Sequence, residues 1–239
     1  MLVTIICCSL FFNLYHKDFS PPGFNADEAT FNYNAYSIAQ TGKDEYGVFL
    51  PLRLKSFGDY KLPFLSYFSI PFIKVLGLSE ATARLPNTFL AVLFPLLIFA
   101  LTEELFRKKS ISLLAAFFTA SSLGLNLVGR HTHEAYLAGF LIALSLFLFL
   151  NILKKNSWLK QLLFFLTITA ALFTYHSNRI LVGVIFLIAA YFVFFRKKIK
   201  PPFLIIFTFI LLGFLLTDFL YSPARVNNLL FFKDPGFSL

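Results

Sequence analysis

At 239 residues, 58% of them hydrophobic and only 14% charged, the chain departs from soluble domains, where about a quarter of residues carry charge. Its 34 phenylalanines and mean hydropathy of +0.74 place it among integral membrane proteins. The net charge of +9 falls in short clusters between apolar runs rather than along one face, which excludes nucleic acid as a partner.

Seven apolar runs stand out, roughly 2–15, 86–106, 111–128, 135–153, 158–175, 180–195 and 203–221. Most approach the ~20 residues needed to cross a hydrocarbon core of about 30 Å. None alternates strictly, so the expected fold is an all-α multi-spanning bundle of about seven transmembrane helices with a long outer first loop. The first run is short. It lacks a positive leader and a small-residue cleavage site, so it reads as a span rather than a signal peptide. Cys7 and Cys8 lie inside it, adjacent, and cannot staple the fold.

The loop from His16 to about Leu85 follows. Within it, residues 25–41 place Phe31, Ala35, Ile38 and Ala39 on one helical face. Asn25 and Glu28 have capping-box spacing, and Gly42 ends the segment. Asp27 and Glu28 then stand in a first turn, where the helix dipole alone favours acidic residues. The stretch 58–77 carries Asp59 and Lys61 and is broken by Pro63 and Pro71, which suits a helix lying in the interface. Arg84 and Pro86 lead into the next span. Taken singly, Lys61 and Arg84 could equally snorkel to lipid phosphate.

Orientation follows from the short loops. One side holds ten basic residues: Arg107, Lys108, Lys109, Lys154, Lys155, Lys160, Arg196, Lys197, Lys198 and Lys200. The other holds Arg130, Arg179, Arg225 and Lys233. The ten belong in the cytoplasm, which puts the N-terminus there and the long loop outside. Glu103 and Glu104 aside, the acidic residues are outer or at the outer boundary, Asp218 among them. The histidines, His16, His131, His133 and His176, are outer too. Any chemistry is expected on that face.

An early outer "DEA", then "GDYKLPF" and "ATARLPNTFLAVLFPLLIF", resemble in order the membrane-embedded glycosyltransferases that use lipid-phosphate sugar donors. These family 39-type enzymes include the dolichyl-phosphate-mannose–protein mannosyltransferases and the bacterial aminoarabinose transferases of lipid A. "GRHTHEAYLAGFLIALSLFLFL", "LFTYHSNRILVGV" and "SPARVNNLLFFKDPGF" resemble later family segments, so the likeness runs through nearly the whole chain. Two departures stand. Lys61-Leu62-Pro63 replaces the usual Lys-Pro-Pro, and family members continue beyond this length, so an N-terminal fragment is expected. It would form one domain: outer loop 16–85, helix bundle 86–221 and a truncated outer tail 222–239.

The resemblance implies inverting transfer of a sugar from a polyprenyl-phosphate donor to a lipid, glycan or protein acceptor on the outer face. Asp27 matches the family's catalytic aspartate, with Glu28 beside it. A phosphate leaving group departs without a general acid, so one carboxylate suffices as base. Lys61, Arg84, Arg130 and Arg179 are the candidates for the phosphate, Lys61 by its match before proline and Arg179 by its forked guanidinium. Asp59, His131, Glu134, Tyr175 and His176 are assigned supporting places. The chain has no G-x-G-x-x-G and no strand–helix alternation for a nucleotide-binding domain, in keeping with a lipid-linked donor. The sequence assigns no cofactor. A divalent cation stays open, because His131 and His133 lie roughly 200° apart on a helix and a site wants three convergent ligands.

Two other readings compete. A lipid-linked-sugar transporter or flippase would carry ionisable groups in mid-span, where this chain has few. An inactive remnant would bind polyprenyl lipid without turning it over.

Overall fold

A computed structural model describes residues 1–15, 23–56, 59–196 and 201–221, and for 59, 201–205 and 217–221 the backbone alone. His16, Lys197, Lys198, Lys200, Arg225, Lys233 and the tail 222–239 lie outside the described residues, as do the side chains of Asp59 and Asp218.

The first helix, α1 (Leu2–Leu14), buries Ile5, Ser9 and Asn13, one position per turn. Two of these are polar and fix the helix by specific bonds. Ser9 donates to the Ala91 carbonyl at 3.1 Å, and Asn13 donates to Asn126 Oδ1 at 2.9 Å. The helix α2 (Ala26–Thr41) has the expected capping box at Asn25 and Glu28, and it ends at Gly42 with φ 73°. Phe31, Ala35 and Ile38 form its buried stripe.

The expectation of an all-α chain requires a correction. Strands β1 (Leu54–Ser56) and β2 (Asp59–Lys61) pair antiparallel with Leu54 opposite Lys61. The ribbon gives backbone groups of the loop hydrogen-bond partners that an irregular chain over a buried helix would lack. Its pleat turns Leu54 and Ser56 inward and Lys55 outward.

Helix α3 (Phe64–Leu76) contains Pro71 and ends at Gly77. At ~20 Å it is shorter than a hydrocarbon core of about 30 Å. Helix α4 (Glu80–Phe106) is the long central element. Ser79 caps it, so it starts six residues before Pro86 and runs through both Pro86 and Pro95. It packs against α1, α3, α5 (Lys109–Ser121) and α7 (Glu134–Lys154). Between the last two, α6 (Leu123–Gly129) is bent 57° from α5 at Ser122. A Cβ on Gly129 would come within 2.8 Å of the Ala91 Cβ, so glycine permits the contact between α6 and α4.

Helices α8 (Trp158–Leu172), α9 (Asn178–Phe194) and α10 (Pro201–Tyr221) complete the described residues. Phenylalanines build much of the core here: Phe149 meets Phe164 and Phe192 at 5.6 and 5.5 Å between ring centroids. Others, such as Phe118 and Phe194, remain exposed on the outside of the bundle. Among the described residues, α4 and α7 are long and apolar enough to cross a membrane, and α5 with α6 could together form a third, bent span. The apolar helices α1, α3, α8 and α9 are shorter, as is the stretch Ile206–Leu216 of α10 whose side chains are described.

Candidate functional site

The two neighbouring carboxylates at the start of α2 have opposite surroundings. Glu28 is fully buried and Asp27 is exposed. The helical turn aims the Glu28 side chain back across the cap, where it accepts from the Asn25 amide. Its Oε1 accepts from Arg84 Nε at 3.2 Å and from the Thr132 amide at 2.8 Å. Oε2 accepts from Arg84 Nη2. Burial pushes this carboxyl upward, but the Arg84 hydrogen bond, the Thr132 amide, the Arg84 charge and the Asn25 amide outweigh it. The net result lies below its ordinary value of 4.5.

Arg84, on the first turns of α4, is itself buried and also donates to the Gly23 carbonyl. Asn32, one turn after Glu28, donates to Thr132 Oγ1, which in turn donates to the Ala83 carbonyl. Asn87 donates to the carbonyls of His131 and His133. This network ties α2, α4 and the segment 130–133 into one rigid block. His131 lies at its edge, its Nδ1 3.6 Å from Glu28 Oε1.

On that block stands Asp27. Its Oδ1 is 2.6 Å from Lys61 Nζ, at the end of β2. Asp27 is 55% exposed by side chain and Lys61 16%. The β1–β2 register holds Lys61 beside buried Leu54, and Lys61 Nζ lies 5.5 Å from the centre of the Phe31 ring. The stem of the lysine is thereby sheltered while its ammonium reaches the carboxylate.

A second group of polar side chains adjoins Lys61. The neighbouring Tyr60 carbonyl is 3.3 Å from His176 Nε2, and His176 Nδ1 contacts Arg179 Nη2 at 2.5 Å. Arg179 comes from the first turn of α9 and His176 from the α8–α9 turn. That turn is drawn in by the Phe64 amide, which donates to the Phe173 carbonyl at 3.2 Å. Arg179 lies 5.9 Å from the centre of the Phe214 ring on α10, and Arg53 stacks on the same ring at 4.6 Å. Tyr175 sits half-buried in this turn and accepts at its carbonyl from the Asn178 amide.

Other expected residues lie apart from this group. Arg130 donates to the Phe12 and Tyr15 carbonyls and closes the C-terminal end of α1. His133 caps α7 by accepting from the Ala135 amide, with Glu134 3.9 Å from it. The two histidine rings are thus engaged separately, and no group of three His, Cys, Asp or Glu among the described residues could hold a metal ion.

Arg53 escaped the sequence reading. Its signal was a cation alternating with Leu52 and Leu54, which reads as an ordinary edge residue until Phe214 arrives from the far end of the chain. Thr132, Asn32 and Asn87 were also missed, because single polar residues in a membrane chain carry no spacing pattern.

Neither a curated protein nor a solved structure matches the chain. The family model of the dolichyl-phosphate-mannose-protein mannosyltransferases matches residues 61–221, more than half of the chain, starting at Lys61 and spanning Arg84, Arg130, His176 and Arg179. Asp27 and Glu28 precede the matched segment. On that match the chain belongs to the dolichyl-phosphate-mannose-protein mannosyltransferase family, a family of membrane glycosyltransferases.

Proposed function

We propose that the chain transfers a sugar, with inversion, from a polyprenyl-phosphate donor to a lipid, glycan or protein acceptor, on the outer face of a membrane that it crosses about seven times. The observation that carries this reading is the contrast between the two carboxylates. An exposed pair such as Asp27–Lys61 contributes at most about 1 kcal/mol to stability. A sealed neighbour, Glu28, does the structural work, which leaves Asp27 available for chemistry.

In this reading the acceptor oxygen attacks the anomeric carbon on the face opposite the phosphate. The carbon–oxygen bond to phosphate breaks, and the acceptor proton passes to the Asp27 carboxylate. The departing phosphate keeps the bonding electrons and needs cations fixed in advance. Lys61 lies between the base and the His176–Arg179 group and can serve both. Arg53 and Arg179, braced on Phe214, supply the forked donors that phosphate oxygens favour. Arg84 takes a positioning place through Glu28, and Arg130 through the end of α1. The donor's isoprenoid tail would run along apolar helix surfaces in the bilayer.

The shortened spans are compatible with seven crossings if the bilayer is thinned locally or the polar turns sit within the headgroup layer. The test is to supply membranes containing the chain with a radiolabelled polyprenyl-phosphate sugar and to determine the anomeric configuration of the product. Transfer with a configuration opposite to the donor's is the expected result. Transfer with retained configuration, or no transfer from a panel of lipid-linked sugars, overturns the reading.

A further inference from the structure

The turn joining α4 to α5 lies at the far end of α4 from the site above, roughly 30 Å from Arg84 along the helix. Here a groove of about 660 Å³ opens between α1 and α5, lined by Thr4, Ile5, Lys109, Leu113, Leu114 and Phe117 among others. Its inner end is closed where Ile5 packs against Ala116 and Ala120. Leu114 and Phe117 stay more than half exposed. The walls are apolar, and only the rim is charged.

Lys109 stands in that lining, and Arg107 and Lys108 immediately precede it in the chain; all three are exposed. The nearby acids have other hydrogen-bond or ion-pair partners. Glu103 accepts from Ser112 Oγ at 2.8 Å, and Glu104 is paired with Lys154 at 2.7 Å. No side chain caps the start of α5, so its first amides add partial positive charge at the same rim. Arg107 adopts φ 52°, a left-handed conformation rare for a side-chain-bearing residue, and ends α4 immediately before Lys108 and Lys109.

An apolar groove with three consecutive exposed cations at one end, the last of them in its lining, fits one class of membrane component. We propose that this groove holds an acyl chain of an anionic phospholipid, with the lipid's phosphate and its net negative charge seated on Arg107, Lys108 and Lys109. Zwitterionic lipid offers the same tail but no excess negative charge, so the cluster discriminates between them. The inference requires only that α4 and α5 stand in a membrane. It is independent of the catalytic reading.

Native mass spectrometry of the purified full chain, given equal amounts of phosphatidylglycerol and phosphatidylcholine with matched chains, tests this. The wild type is expected to retain phosphatidylglycerol in preference by roughly tenfold or more, as two or three juxtamembrane cations imply. The double variant Lys108→Glu/Lys109→Glu should lose that preference. Leu114→Trp, which fills the groove and leaves the charge unchanged, should lose retention of both lipids, and it carries the test if the double variant does not fold. Equal retention of the two lipids by the wild type overturns the proposal. So does a preference that survives Leu114→Trp, because a surface charge effect would then suffice without the groove.

Discussion

Asp27 and Glu28 differ by one position in a helical first turn, and that single step of about 100° separates a solvent-facing carboxylate from a sealed one. The sealed one is expected to control stability. Replacing Glu28 with Ala removes the buried carboxylate to which Arg84 Nε and Nη2 donate, which should cost about 3–5 kcal/mol in thermal or denaturant unfolding in detergent. Because Glu28's carboxyl lies below 4.5 in the folded chain, its contribution is present at neutral pH. It weakens as pH falls below about 4.5 and is lost once pH passes beneath the folded value. Unfolding temperatures measured down an acid series should show this loss in the wild type and a shallower one in Glu28→Gln. A parallel decline in the two proteins would move the acid sensitivity elsewhere. Arg53→Ala should weaken retention of a polyprenyl phosphate while leaving inorganic-phosphate binding in solution negligible, measured by lipid co-purification. Unchanged retention would remove Arg53 from the donor site.

Among the elements, α2 was the most legible from sequence. Asn25, Glu28 and Gly42 each have a local reason to sit at their positions, and the capping box and left-handed terminus are formed where those residues stand. The β1–β2 ribbon was not legible, because strands of three residues offer no measurable alternation. The early start of α4 was hidden by Pro86, a residue that usually begins or breaks helices, while the weaker cap at Ser79 in fact sets the boundary. The bend at Ser122 had no proline to announce it. Gly129 shows how closely these elements meet: Gly129→Val would press on Ala91 and on the Tyr136 ring, 3.2 Å from the added Cβ. The expected loss is about 1–3 kcal/mol, read from the unfolding midpoint. A neutral outcome would mean that α6 moves freely against α4.

For the molecule as a whole, composition and basic loops yielded the class and an orientation, whereas the clustering of Asp27, Lys61, His176, Arg179 and Arg53 needed the folded chain. These residues are separated by up to more than a hundred positions, and only the docking of α3 onto the α8–α9 turn brings the later ones near Lys61. The proposed orientation is checkable with single cysteines placed at Tyr46 and Lys109 in a chain lacking Cys7 and Cys8. An impermeant thiol reagent should label position 46 on intact cells and position 109 only after permeabilisation; the reverse pattern would invert the topology. The most direct test of the central claim compares wild type with Asp27→Asn for the rate of sugar transfer from a saturating radiolabelled polyprenyl-phosphate donor, with bound donor quantified in the same membranes. The account predicts a fall of about a hundredfold or more in rate with donor binding retained. Transfer by Asp27→Asn at the wild-type rate would contradict it.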